Sequence, residues 1–188
     1  AGWGAVGEQS LRSHCLAELA AQVLGQRFFD ELRTKQQLGY IVSLSAAGER
    51  HAFVGLRMLV QSEKSPEECL TRIRSWADEN FAFLAKELGE EEFLEYRAAL
   101  LSQLKERPKS LGEEFGYNWS EVAGRTFDFP YREEQVRCLE ALRLGDLQCY
   151  AAEELPAARA LCVLVRPAGG APAAEAEATR RWGDEDVA

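Results

Sequence analysis

Two histidines and one nearby carboxylate are the first residues in this sequence that could do chemistry. His14 and Glu18 lie four positions apart, so on a helix they would share one face and could contact one metal ion. Zinc, however, takes a closed shell of ligands in structural sites and three protein ligands in catalytic sites. The other histidine, His51, lies 37 positions from His14. The sequence therefore predicts no metal site, with His14 on a helix surface or partly buried and His51 in a loop.

A cation and a phenol lie at the two ends of a second notable segment, residues 33–40, with the sequence RTKQQLGY. By itself, Arg33 is typical of a helix-terminal cation that pairs with Asp30 or Glu31. Tyr40 is typical of an aromatic residue on a strand that faces a core or an interface. Both interpretations remain open on local pattern alone.

Composition limits the classes of partner. The chain has 188 residues, enough for one domain or slightly more than one, with a sizeable core. It carries 22 Lys and Arg against 31 Asp and Glu, for a net charge of −9. No basic stripe is present to neutralise phosphates, so the sequence predicts no nucleic-acid partner.

Cysteine usage and hydropathy indicate the compartment. The five cysteines are odd in number and form no C-x-x-C pair, which disfavours a disulfide scaffold or a zinc knuckle. A reducing compartment is expected, and the cytoplasm is favoured over an organelle. The sequence has no apolar run of eighteen residues and no signal pattern, so we expect no membrane span.

The first half of the chain predicts a helix followed by a hairpin. Apolar residues repeat every three or four positions over residues 11–32, which indicates a helix with one buried face, interrupted at Gly25. Residues 38–45 and 52–61 are rich in Val, Ile, Phe and Leu and predict two hairpin strands.

The second half predicts a helical block. Ser65 followed by Pro66, and Ser110 followed by Glu113, are typical of helix starts. The helix that begins at Ser110 is expected to bury an apolar stripe, which consists of Leu111, Phe115, Trp119 and Val122. Further helices are expected over residues 90–106, 131–142 and 146–155, and a buried strand over residues 160–165.

The two ends of the chain differ from this pattern in composition. Residues 1–10 are Gly-rich without a period, so we expect an irregular segment there. Residues 168–188 are rich in Ala, Gly, Pro and Glu, bury too little apolar surface to offset ordering entropy, and are expected to be mobile. Trp182 is expected to be exposed. The predicted domain therefore covers residues 11–167.

Three segments together carry a family resemblance. FFDEL at residues 28–32 leads into RTKQQLGYIV at residues 33–42, and GLRMLVQSEKSP follows at residues 55–66. In this order they closely resemble the last domain of the insulin-degrading enzyme, pitrilysin and nardilysin family of zinc metallopeptidases. The resemblance extends over residues 11–166 and does not include a zinc-binding motif.

The resemblance implies an α+β fold in which an antiparallel-type sheet is backed by helices on one face. Such domains begin with a strand before the first helix, and residues 1–9 do not show the pattern of a strand. We therefore expect the first strand to be missing, either because the chain is a fragment of a longer polypeptide, which we favour, or because another chain supplies the strand.

The resemblance also implies a function. It implies that Arg33 and Tyr40 contact substrate and stabilise the oxyanion, because both side chains can donate to the oxygen on which peptide hydrolysis builds negative charge. Zinc would then be held by the N-terminal half, on the same or a companion polypeptide, and the substrates would be peptides. The chain alone is expected to be inactive and to hold no cofactor.

A second function remains open at this point. Relatives of this fold include subunits that have lost catalysis and assemble with partners, so the chain could be an inactive scaffold or interaction subunit. Retention of both Arg33 and Tyr40 favours the peptidase, because a scaffold has no need for an oxyanion-stabilising pair.

Overall fold

A computed structural model describes residues 2–6, 11–49, 53–166 and 180–181 of the chain. The described strands are β1 (Gly2–Val6), β2 (Ile41–Glu49), β3 (Phe53–Gln61), β4 (Arg159–Cys162) and β5 (Arg180–Arg181). The described helices are α1 (Leu11–Phe29), α2 (Pro66–Lys86), α3 (Glu90–Lys105), α4 (Leu111–Ala123), α5 (Tyr131–Ala141), α6 (Leu144–Cys149) and α7 (Leu155–Ala157). Two π-helical turns, Asp30–Lys35 and Tyr150–Glu154, continue α1 and α6.

The strands form one antiparallel sheet in the order β2-β3-β1-β4-β5. The central strand is β1, whose backbone pairs with β3 on one side and β4 on the other. For residues 2–6 the expectation of an irregular segment was therefore wrong, and so was the expectation of a missing first strand; residues 1 and 7–10 lie outside the described part of the chain. The strand has the sequence GWGAV, and its two glycines leave no alternation of apolar and polar residues that would predict a strand. Its position in the sheet therefore depends on backbone pairing with β3 and β4.

Helices cover one face of this sheet. Val42 in β2, and Val54 and Met58 in β3, are buried, whereas the alternating Ser43 and Arg57 are exposed. Since successive side chains on a strand point to opposite faces, the helical layer packs on one side of the sheet. The predicted α+β class, with a sheet backed on one face, is confirmed.

The main helix of that layer, α1, runs without a break through Gly25. The expected interruption there was wrong. A Cβ at Gly25 would lie 3.5 Å from the carbonyl oxygen of Leu44 in β2, which is ordinary contact, so a small residue suits the point where α1 lies on the sheet. The buried side chains of α1 are Cys15, Leu16, Ala17, Leu19, Ala20, Val23, Leu24 and Phe28.

Caps and cross-helix bonds define the ends of the other helices. The hydroxyls of Ser65 and Ser110 accept from the third backbone N–H of α2 and α4, as predicted. Arg97 of α3 donates to the Leu142 carbonyl at 2.6 Å, just beyond α5, and Arg132 of α5 donates to the Leu104 carbonyl at 2.6 Å in the last turn of α3. Each helix therefore satisfies free carbonyls at the C-terminal end of the other.

The last predicted strand is shorter and less buried than expected. In β4 the buried fraction alternates, and Leu161 is exposed, as are Val163 and Val165 beyond it. A continuous apolar run indicates a strand covered on both faces, but here helices cover one face only.

The C-terminal region contains one described pair. Arg180–Arg181 forms β5 against β4, so residues 168–188 are not uniformly without regular structure. The remaining expectations for this tail, and those for Trp182 and His51, lie outside the described residues. Among the described helices, none is long and apolar enough to cross a membrane.

The stripe predicted to be buried on α4 is exposed. Its four apolar residues face solvent, and Glu121 is the residue of α4 that is buried. The prediction of burial was wrong for the described structure, because helical periodicity identifies an apolar face without identifying what covers it.

A buried hydroxyl gives a first test of the packing. Tyr150 is fully buried, and within the described part of the chain its hydroxyl has no hydrogen-bond partner. Burial raises the pKa of Tyr150, and the negative charge of the nearby Glu154 adds a smaller rise. Because a buried donor without a partner carries a desolvation cost, we expect Tyr150→Phe to raise the free energy of unfolding by about 1 kcal/mol in urea titrations.

Tyr117→Phe is the matched control, because Tyr117 is exposed and its substitution should change stability by less than about 0.5 kcal/mol. A loss of stability in Tyr150→Phe would show that the hydroxyl has a partner in solution.

Candidate functional site

The end of α1 changes its winding before it reaches the sheet. The π-helical turn Asp30–Lys35 follows α1 directly, and the N–H of Gln36 donates to the carbonyl of Glu31 at 2.9 Å. The wider turn shifts each following side chain around the helix axis relative to an α-helical continuation. Short π-helical turns within helices are often found at functional sites. Arg33 lies in the middle of this turn.

Arg33 and Tyr40 contact each other. The Nη1 of Arg33 donates to the backbone carbonyl oxygen of Tyr40. The guanidinium carbon lies 5.3 Å from the ring centre of Tyr40 and 5.3 Å from that of Phe29, which is within the range of cation–π attraction. Arg33 is half-buried, whereas the side chain of Tyr40 is 77% exposed. The structure thus brings the two predicted site residues together at the beginning of β2.

The backbone around Tyr40 is held tightly although most of the residue lies in solvent. The N–H of Tyr40 donates to the carbonyl of Gln61 at 2.9 Å. A Cβ on Gly39 would overlap that carbonyl oxygen and lie 3.0 Å from the carbonyl carbon, so no side chain fits at position 39. The positive φ of the turn, 49°, belongs to Gln37. Gly39 is therefore required by the close approach of the β3 backbone, since only glycine has no Cβ to place there.

Residues after β3 fasten the same turn from the other side. The hydroxyl of Ser62 donates to the carbonyl of Leu38, and it accepts from the N–H of Lys64 at 3.0 Å. The side chain of Gln36 accepts from Arg72 of α2 at 3.2 Å. These bonds give Gln36 and the segment QSEK, residues 61–64, a structural role.

Acidic residues near Arg33 are engaged elsewhere. The carboxylate of Glu31 accepts hydrogen bonds from Lys35 at 2.8 Å and from Gln36 at 3.2 Å. Both bonds lower the pKa of Glu31, and the bond from Lys35 has the larger effect. Asp30 accepts from Gln26 at 2.8 Å. The simple pairing of Arg33 with Asp30 or Glu31 is thus replaced by the contact with Tyr40. Tyr40 is also not a core residue, because most of its side chain is in solvent.

The candidate metal pair has structural partners. His14 Nε2 and Glu18 Oε1 lie 3.2 Å apart, and Glu18 also accepts from Gln135. The ring of His14 contacts Tyr131 edge to face at 5.9 Å, which places it between α1 and α5. Within the described ranges, no group of three or more His, Cys, Asp or Glu side chains could hold a metal ion. The described residues do not fit a zinc site.

The five cysteines are free thiols. Cys15 is buried in α1, and burial is the main cause that raises the pKa of its thiol, with Cys138 adding to the effect. A protonated buried thiol acts as a small apolar group and is a poor nucleophile. Cys149 is exposed, but the neighbouring Glu153 raises the pKa of its thiol.

Comparison with known proteins identifies the family. Residues 19–119 match the family described as PQQ synthase PqqF-like, C-terminal lobe domain 4. This match covers more than half of the chain and includes the whole Arg33–Tyr40 segment. The chain belongs to this family of C-terminal lobe domains.

Individual relatives agree with this assignment. The insulin-degrading enzyme of Drosophila melanogaster is 31% identical over 144 residues, which are 77% of this chain and 14% of that protein. A nardilysin-like protein of Arabidopsis thaliana is 28% identical over 164 residues, which are 84% of this chain and 16% of that protein. The chain thus spans about a seventh of the length of these relatives.

Solved structures support the fold. The crystal structure of pitrilysin superposes with a TM-score of 0.71 at 24% identity, over 82% of this chain and 16% of that one. The resemblance to the C-terminal region of the insulin-degrading enzyme, pitrilysin and nardilysin family of zinc metallopeptidases is confirmed.

Sequence reasoning missed the residues that support the site. Phe29 lies four positions before Arg33, a spacing that places two side chains on one helix face. This spacing could have predicted the contact between the Phe29 ring and the Arg33 guanidinium. Ser62 gave no such signal, because its bond to the Leu38 carbonyl depends on the pairing of β2 with β3.

The close approach at position 39 predicts the effect of one methyl group. Gly39→Ala should lower the free energy of unfolding by about 1–3 kcal/mol, because the overlap is with backbone that cannot rotate away. Gly25→Ala is the matched control: its Cβ meets ordinary contact on a helix, and alanine is the better helix former. Equal thermal and urea stability of the two variants would contradict the packing argument.

Proposed function

We propose that this chain closes the degradation chamber of a zinc metalloendopeptidase and that Arg33 and Tyr40 contact the bound peptide there. In this proposal the chain supplies hydrogen-bond donors and another part of the protein supplies the metal. The proposal rests on family membership and on one structural observation, the arrangement of the Arg33–Tyr40 pair.

That observation is the contrast between the side chain and the backbone of Tyr40. The phenol extends into solvent, yet the residue's N–H, its carbonyl and the preceding Gly39 are all fixed. A donor held on a rigid backbone costs little reorganisation when charge develops opposite it. These three constraints fix the position from which the phenol extends.

The chemistry of the pair suits the proposed substrate. Hydrolysis of a peptide bond moves negative charge onto the carbonyl oxygen, and a phenol hydroxyl can donate to that oxygen. Arg33 donates to the Tyr40 carbonyl through Nη1, so its remaining N–H groups can bind a substrate carbonyl or carboxylate. Arg33 thus positions Tyr40 and adds a positive charge beside it.

The described residues lack a set of metal ligands, so the proposal requires a companion. Zinc would be held by the N-terminal half of the same or a companion polypeptide, and the substrates would be peptides enclosed between the two halves. The insulin-degrading enzyme relatives carry a name that states the peptide they act on.

The central test is made in the complete enzyme, in which this chain is present together with the half that would hold zinc. Tyr40→Phe removes one donor and keeps the ring, so kcat for a short fluorogenic peptide should fall by about 10² with an unchanged melting temperature. Arg33→Lys keeps the charge but loses the planar guanidinium that lies against two rings, so kcat should also fall.

Lys35→Gln is the control for this test. Lys35 lies in the same turn but is paired with Glu31, so its substitution should leave kcat unchanged. If Tyr40→Phe and Arg33→Lys both hydrolyse the peptide at the parent rate, the pair has no part in catalysis. The inactive scaffold or interaction subunit would then be the better interpretation.

The proposal also predicts how the 188-residue chain behaves alone. We expect it to retain no stoichiometric zinc after dialysis and to hydrolyse no peptide, because zinc needs three protein ligands in a catalytic site. Elemental analysis is the measurement. One zinc per chain would contradict the division of roles and would direct attention to His14 and Glu18.

A further inference from the structure

Two cysteines from different helices lie at the contact between α1 and α5. Cys15 belongs to α1, and its Sγ lies 3.8 Å from the backbone carbonyl oxygen of Gln135 in α5. Cys138 follows Gln135 by three positions in the same helix. We call Cys15 and Cys138 the interhelix thiol pair.

The direction of helical side chains brings the second sulfur to the same carbonyl group. A side chain in an α-helix points back towards the N-terminus and lies over the residues three and four positions before it. The side chain of Cys138 therefore lies over Gln135, whose carbonyl oxygen is the group that the Cys15 thiol contacts. The two thiols also form a hydrogen bond with each other. Burial raises the pKa of Cys15, and this bond adds to the rise.

Contacts on both sides of the interhelix thiol pair hold the two helices in this register. The ring of His14 packs edge to face on the ring of Tyr131, with ring centres 5.9 Å apart. The side chain of Gln135 donates to the carboxylate of Glu18. Because these contacts lie one position before Cys15 and three positions after it, α1 cannot turn this thiol away from α5 without breaking them.

The two thiols differ in their access to solvent. Cys15 is fully buried, whereas Cys138 is half-buried and packs against the outside of the core. A small oxidant can therefore reach the sulfur of Cys138. Since burial raises the pKa of Cys15, that thiol stays protonated and does not react with an oxidant by itself.

We propose that Cys15 and Cys138 form a reversible disulfide when the protein meets a peroxide, and that this bond fastens α1 to α5. The inference concerns a part of the domain apart from Arg33 and Tyr40 and does not depend on the roles proposed for them. The bond requires the neighbouring sulfur atoms to approach to about 2.05 Å, by rotation of both side chains. In a reducing compartment it would be a transient modification and not a permanent part of the fold.

The reaction balances with one molecule of hydrogen peroxide. The sulfur of Cys138 attacks one peroxide oxygen, the O–O bond breaks, and water leaves with the thiol proton, so that Cys138 becomes a sulfenic acid. The sulfur of Cys15 then attacks the sulfur of Cys138. The S–S bond forms, the S–O bond breaks, and the hydroxyl leaves as water with the Cys15 proton. Two thiols lose two electrons and two protons, and the peroxide is reduced to two waters.

The position of Cys15 favours the second step of this reaction. Its sulfur is already held beside that of Cys138, so the step needs no encounter by diffusion. A sulfenic acid without a neighbouring thiol would instead persist or be oxidised further. The pair therefore gives a reversible product where a single half-buried cysteine would not.

Disulfide mapping by mass spectrometry tests the proposal. The reduced 188-residue chain is treated with one equivalent of hydrogen peroxide, its remaining thiols are alkylated after denaturation, and it is digested without reductant. We expect two peptides joined through Cys15 and Cys138, and a fall from five free thiols to three, because the bond consumes two. Dithiothreitol should restore all five. A main product that links any other two cysteines, or a sulfinic acid at Cys138 with Cys15 still free, would overturn the proposal.

Thermal unfolding tests whether the bond suits the native packing of the helices. Residues 15 and 138 lie 123 positions apart, so the bond restricts the unfolded chain over a long loop. The oxidised chain should melt about 5–10 °C above the reduced chain. An equal or lower melting temperature would show that the bond forms only by distorting the contact between α1 and α5, and would contradict the proposal.

Two variants and one control separate the pair from an accessible single thiol. Cys138→Ser and Cys15→Ala should each lose the rise in melting temperature on oxidation, because each removes one sulfur of the bond. Cys149→Ser is the matched control, since Cys149 is an exposed thiol on α6, and it should keep the full rise. A rise that survives in Cys138→Ser or Cys15→Ala would assign the effect to other cysteines and overturn the proposal.

Discussion

The close approach of Gly39 to the Gln61 carbonyl is the constraint on which the candidate site depends. It joins the end of the main helix to the ends of both long strands at one point. Because no side chain fits there, the chain cannot slide along β3, and Tyr40 leaves the turn in one position. The bond from the Tyr40 N–H and the bond from Ser62 to Leu38 lock the same point from both sides. The site is thus a consequence of backbone packing, to which Arg33 then adds charge.

Sequence patterns predicted the parts of this structure that depend on local signals. The first helix, the hairpin and the serine caps were all anticipated, because periodicity, strand composition and capping residues act over a few positions. The strand β1 was missed since its backbone bonds come from β3 and β4, and the paired residues are 48 or more positions apart in the sequence. The π-helical turn was missed because one extra residue per turn leaves the apolar pattern unchanged over so short a span.

The pairing of Arg33 with Tyr40 shows the same limit at the site. Seven positions separate the two residues, and each has an ordinary local explanation as a helix cation or a strand aromatic. Their contact arises because the turn at Gln37, with its positive φ, folds the chain back so that the Tyr40 carbonyl meets Arg33. The family resemblance marked both residues, but the geometry that joins them required the fold.

The exposure of Tyr40 also sets a condition on its proposed role. A hydrogen bond from a donor in water contributes little, because the substrate oxygen exchanges one donor for another. The same bond is worth more when a second surface excludes water and lowers the local dielectric. A domain that carries its donor 77% exposed therefore needs a partner surface before that donor can favour a transition state.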